Sequence, residues 1–118
     1  MKKISVLSIA MLAFSLSAQA ADIGDPYPGQ CRLVGPSKLL AISDNTALSS
    51  EVVKLMTEAV NVADDSRYVT STRHAFTWAS EAKVACGKAY GYLQTRFRDE
   101  EYLNKCECFH SRMRQYMN

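Results

Sequence analysis

What is scarce in this chain narrows the reading before anything present in it does. There is no internal repeat, no low-complexity tract and no excess of either charge, with 14 Lys and Arg against 12 Asp and Glu over 118 residues. A chain with balanced charge has little of the field that draws nucleic acid or anionic lipid, which argues against DNA, RNA or anionic lipid as the main partner. No apolar run reaches the length of a membrane span. Paired Cys-x-x-Cys and His-x-x-x-His spacings are absent, and with them the tetrahedral zinc sites. Cys-x-x-Cys at a helix start, where the dipole would lower a thiol pKa for redox work, is absent too. Histidine is limited to His74 and His110. No glycine-framed nucleophile turn accompanies either, which argues against a Cys-His or Ser-His hydrolase. The expectation is a protein without catalytic activity or cofactor.

What is present begins with Met1-Lys2-Lys3, an apolar run from Ile4 to Leu16, and Ala18-Gln19-Ala20. Basic start, short apolar stretch and small residues at the minus-three and minus-one places are the pattern of a secretory signal peptide. Residues 1–20 are therefore expected to be cleaved after Ala20, leaving residues 21–118 as one helical domain with an irregular segment over 21–35. No cysteine sits at the cleavage point, so a lipid anchor is not expected. Loss of Lys2 and Lys3 takes the formal charge from +2 to zero. The predicted location is the periplasm or the exterior, without membrane insertion after cleavage.

Four cysteines, Cys31, Cys86, Cys106 and Cys108, fit two disulfides in an oxidising compartment. Each bridge contributes roughly 2–4 kcal/mol, a large share of the ~5–15 kcal/mol available to a domain.

Along the chain, Gly24, Pro26, Pro28, Gly29, Gly35 and Pro36 keep residues 22–35 irregular, with Cys31 placed to strap this segment to a helical body. Pro36 suits a helix start, and Ser37 to Ile42 is predicted as one short helical turn ended by Ser43-Asp44-Asn45-Thr46. Ser49 is read as the cap of the next helix, with Glu51 near its positive end and Leu48 and Val53 at staple spacing. Its apolar face is Val52, Leu55, Met56, Ala59, Val60 and Ala63, and Asp64-Asp65-Ser66 closes it. The longest helix is predicted from Ser71 to Thr95, with the stripe Ala75, Trp78, Ala79, Ala82, Ala85, Cys86, Ala89 and Leu93. Gly87 and Gly91 cost roughly 1 kcal/mol each against Ala inside a helix, so tight packing or a bend is expected there. Asp99 caps the last helix, with Glu100 and Glu101 on its first turn.

The two last helices are joined by a few residues and should form an antiparallel hairpin. At about 100° per residue, Tyr102, Cys106, Phe109, Met113 and Tyr116 share a stripe, flanked by Leu103, His110 and Met117. Cys108, about 200° around from Cys106, looks away from it. With the turn centred near Arg96, Cys86 and Cys106 are equidistant from it on inward stripes. Of the three possible pairings, Cys86–Cys106 and Cys31–Cys108 fit this geometry. The fold class expected is all-α: a small bundle of three to four helices with a C-terminal antiparallel hairpin, stapled by two disulfides.

The sharpest chemical alternative is a periplasmic copper-binding protein, since Cys106, Cys108, His110, Met113 and Met117 together supply thiolate, imidazole and thioether. Against it, Cys106 and Cys108 diverge on one helix, and Met and Phe at helical period usually form core. For recognition of another protein, Tyr90, Tyr92, Arg96, Arg98 and Arg112 are the candidate interface, because tyrosine and arginine are favoured at binding hot spots.

Lys105-Cys106, Phe109-His110-Ser111, Met113 and Tyr116 resemble the C-terminal helix of small periplasmic amidase-immunity proteins of type VI secretion systems. Cys108 and the Pro-rich start with Cys31 depart from that pattern. The resemblance implies a non-enzymatic binding module, an inhibitor or immunity protein that plugs the cleft of a cell-wall hydrolase through a loop or helix end. Its partner is then another periplasmic or secreted protein. A periplasmic stress chaperone is the alternative of the same size and build.

Overall fold

The computed structural model describes residues 31–118. The leader expected over 1–20, and residues 21–30 of the irregular segment, lie outside the described residues. Four helices follow an irregular strap over 31–43: α1 (Asn45–Asp64), α2 (Ser66–Val69), α3 (Ala75–Gln94) and α4 (Glu100–Met117), with no strand among the described residues. The fold is all-α, and α3 and α4 form the antiparallel hairpin. Helix α3 is central, packing extensively on both α1 and α4, while α1 and α4 meet each other much less. The strap lies in the resulting gap.

Helix α3 holds the centre because its inner face is small. Ala75, Ala79, Ala82, Ala85, Cys86, Ala89 and Leu93 are buried, seven of the eight residues of the predicted stripe, and Trp78 is half-buried at its edge. Methyl-sized side chains let neighbouring backbones approach, and at the Cys86–Cys106 bridge the α-carbons of α3 and α4 are 4.5 Å apart. Larger side chains from the flanking helices fill what remains: Leu48, Val52 and Leu55 from α1, Leu103, Phe109 and Met113 from α4. The Trp78 and Phe109 rings meet with centroids 5.8 Å apart.

Several local expectations are corrected. Helix α1 starts at Asn45, not beyond Ser49, because the Asp44 carboxylate accepts from Ala47 N at 2.7 Å and caps it. The polar cluster read as a terminator is thus an initiator. Its buried face takes in Leu48 and Val62 and leaves Met56 and Val60 half-buried, since α1 is turned toward α3. Residues 37–42 form a turn, with Ile42 N donating to Leu39 O at 3.1 Å, and no helix. Helix α3 begins four residues later than Ser71, after α2, whose cap Asp65 also ends α1. Neither interior glycine marks a tight contact: a Cβ at Gly87 would meet only Met56 Sδ at 3.8 Å, and one at Gly91 nothing within 4 Å.

On α4, Asp99 caps as predicted, its carboxylate accepting from Tyr102 N at 2.9 Å. The buried centre is Leu103, Cys106, Phe109 and Met113, with Tyr102 half-buried and Tyr116 exposed, so the stripe keeps its middle and is turned toward Leu103 by a fraction of one residue's rotation. Cys108 does point away from α3, yet it is buried, because the strap covers it.

Candidate functional site

Both disulfides form as the helical geometry predicts, Cys86–Cys106 within the hairpin and Cys31–Cys108 between strap and α4, and no cysteine is free. The copper set is thereby corrected: Cys106 and Cys108 offer no thiolate, since both sulfurs are oxidised. Of the other proposed ligands, Met113 is fully buried in the core and Met117 packs at its edge. His110 Nε2 lies 2.6 Å from Glu58 Oε2, tying α4 to α1. Among the described residues no cluster of His, Cys, Asp or Glu is arranged to hold a metal. His74, the other histidine, sits edge-on to Tyr116 with ring centroids 5.7 Å apart.

Two surfaces remain. The first is the hairpin tip. Helix α3 ends with Arg96 in the left-handed region at φ 61°, which lets Arg96 N donate to Leu93 O at 3.0 Å and Phe97 N to Tyr92 O at 3.1 Å. This paired-bond helix ending is accompanied by the contact between flanking apolar residues that such endings favour. Here it is Phe97 against Tyr92, edge to face at 5.7 Å. Tyr92 stacks in turn on Tyr102 at 5.9 Å. The Lys88 and Lys105 ammonium groups lie 4.9 and 5.4 Å from the Tyr102 ring centroid. The result is a short aromatic ladder with cations beside it, and its outer members are open: Phe97 is 54% exposed and Tyr92 41%.

The residues expected to form one interface are therefore divided. Tyr92 and Arg96 are exposed at the tip, whereas Tyr90 is half-buried against the core. Arg98 turns inward, donating to Ile42 O at 2.7 Å and to Ser43 O at 3.2 Å, and so holds the end of the strap. Arg112, some 18 Å further along α4 by helical rise, donates to Gln115 Oε1 at 3.1 Å on a different face.

That face is the second surface, a cleft of about 780 Å³ between strap, α1 and α4. Leu39, Ile42 and Leu55 form its apolar floor, and Arg32, Lys38, Arg112 and Arg114 stand around it. Its wall is held rigidly by Glu107, which periodicity alone did not single out. The Glu107 carboxylate accepts from Ser37 Oγ at 2.5 Å, from Lys38 N at 2.9 Å and from Leu39 N at 3.1 Å. The sequence signal for it was its position beside Cys108: whatever segment Cys108 captures must also pass Glu107. Arg98 carried no such signal, because its acceptors are main-chain carbonyls more than fifty positions away.

Two bridges without a free thiol point to folding in an oxidising, extracytoplasmic compartment. No helix among the described residues is long and apolar enough to cross a membrane. No family model, no curated protein and no solved structure matches the chain.

Proposed function

We propose that this protein is a non-enzymatic binding module that acts outside the cytoplasm as an inhibitor or immunity protein of a cell-wall hydrolase. The observation that carries the reading is the hairpin tip, where Phe97 and Tyr92 are exposed and joined in one ladder with Tyr102. A cleft-plugging element needs a convex shape, aromatic or arginine anchors, and little conformational freedom to lose on binding. Phe97, Tyr92 and Arg96 supply the anchors. The helix ending at Arg96, the Cys86–Cys106 bridge and the Arg98 bonds to the strap supply the stiffness. The resemblance of residues 105–116 to amidase-immunity proteins supports the same reading, and it lies on the helix that the tip opens into. The four cysteines are held in bridges, and His110 pairs with Glu58 between α4 and α1.

The test is capture from envelope extract on the purified, oxidised chain, followed by peptidoglycan-hydrolase assays on what is retained. One retained hydrolase, inhibited at a one-to-one ratio, is the expected result. Retention of many unfolded proteins would instead identify a chaperone, and an uninhibited eluate would overturn the inhibitor role.

A further inference from the structure

We propose that the cleft between strap, α1 and α4 is a second docking surface, and that it takes an acidic segment with an apolar side chain from the partner protein. This rests on the protein-binding reading above and adds to it the chemistry of what is bound. The charge pattern argues for the acidic part. Arg32, Lys38 and Arg114 line the cleft, and none has a carboxylate among the described residues within ion-pair distance. The two acidic side chains in the lining are already answered. Glu107 receives three hydrogen bonds from the strap, and Glu51 lies 3.5 Å from Lys54. The lining thus holds Arg32, Lys38, Arg112 and Arg114 against Glu51 and Glu107, so a bound carboxylate meets a wall of net positive charge, an arrangement that favours encounter and orientation.

The floor argues for the apolar part. Half-buried Leu33 and Ile42 and fully exposed Val34, all from the strap, give the cleft its accessible apolar lining. A volume of about 780 Å³ is within the range of ligand-sized clefts. The walls are preformed: the strap is fixed at one end by Cys31–Cys108 and Glu107 and at the other by Arg98. Docking therefore orders little of this chain, which favours affinity. The competing occupant is the chain's own segment 21–30, which carries Asp22 and Asp25.

Photo-cross-linking in cells that make the partner decides among occupants. A benzoylphenylalanine is placed at Val34 in one sample and at Phe97 in another, in the full chain, and cross-linked peptides are sequenced by mass spectrometry. The expected product at position 34 is a partner segment rich in Asp or Glu with an apolar residue. In an Arg32→Glu/Arg114→Glu variant its yield should fall about tenfold, each exposed ion pair counting for a few-fold. An Arg32→Lys/Arg114→Lys variant should keep most of it, and unchanged disulfide mapping of both variants excludes misfolding. Cross-linking at position 34 only to residues 21–30, to a second copy, to lipid, or to a segment without acidic residues would overturn the proposal. If position 97 still reaches a hydrolase in that case, the inhibitor reading stands while the cleft proposal falls. Absence of any protein product at both positions would overturn both.

Discussion

Ser37 donates its hydroxyl hydrogen to Glu107, seventy positions further along the chain, at 2.5 Å, and the same carboxylate accepts from the backbone of Lys38 and Leu39. One side chain of α4 thus completes the turn that seats Leu39 in the core, next to the cysteine that holds the strap covalently. Glu107→Ala should cost about 1–3 kcal/mol, since Ser37 is nearly inaccessible to replacement water. Glu107→Gln, which keeps one acceptor oxygen, should cost less. Urea unfolding measures the loss, and amide exchange at Leu39 and Leu40 locates it. Unchanged protection of those amides in the Ala variant would show that the strap holds its place without Glu107.

The two bridges close loops of different size, 77 residues for Cys31–Cys108 and 20 for Cys86–Cys106. Chain-entropy arithmetic gives about 4.5 and about 3.3 kcal/mol for them. Replacing Cys31 and Cys108 together by Ser should therefore destabilise more than replacing Cys86 and Cys106 together by Ala, by about 1 kcal/mol. Paired denaturation curves test the order. A reversal would locate the stabilisation in the packing of the hairpin and not in the constraint on the unfolded chain.

Arg96 occupies a left-handed conformation at φ 61° that side chains with a Cβ adopt at a cost of roughly 1–2 kcal/mol. Arg96→Gly should raise stability by about 0.5–1 kcal/mol, the relief being partly offset by the freer unfolded chain. Gly91, inside α3 with open space where a Cβ would stand, should gain about 1 kcal/mol on conversion to Ala. The shift in melting temperature of each variant checks these values.

Phe97 is more than half exposed, so its loss should be felt by a partner before it is felt by the fold. Phe97→Ala removes the ring contact with Tyr92 and should cost about 1 kcal/mol of stability or less. At a hot spot the same change costs about 2 kcal/mol of binding, or about 30-fold in inhibition. Titration of the captured hydrolase with wild type and variant reads this directly. Equal potency would remove the tip from the interface.

Asp65 accepts from Arg67 through both backbone and side chain, and the side-chain bonds lead in holding its carboxyl below the ordinary range. A depressed folded pKa means that the associated stability is present above the unfolded value and is lost as pH falls through the folded one. Arg67→Ala should move the Asp65 titration upward in a carboxyl-detected NMR experiment. Any stability difference from wild type should be small, because the pair is exposed, should be present above the ordinary carboxyl range, and should vanish in strong acid, where Asp65 is protonated whether folded or unfolded.

Much of this architecture is readable from one helix at a time. The alanine stripe of α3 gives its buried face almost residue for residue, and Asp99 opens α4 where a capping side chain predicts. The equal spacing of Cys86 and Cys106 about the turn yields their bridge. The errors fall where two adjacent readings compete for the same residues. Ser43-Asp44-Asn45-Thr46 serves equally well to stop a helix or to start one, and only the bond from Ala47 N to Asp44 decides between them. Likewise Tyr102 and Leu103 are both apolar neighbours on a helix, and which faces inward depends on the exact rotation of α4 against α3.

From the sequence came the all-α class, the hairpin and the expectation of two bridges, because helical period, capping and cysteine count are read without any tertiary contact. Tertiary structure alone decided that Glu107 and Arg98 work as anchors, that Arg112 stands apart from Tyr92 and Arg96, and that a cleft opens beside the strap. The reason is that a carboxylate or guanidinium acquires its role from acceptors and donors fifty to seventy residues distant. Those groups come into range only after α3 has fixed where α1 and α4 stand.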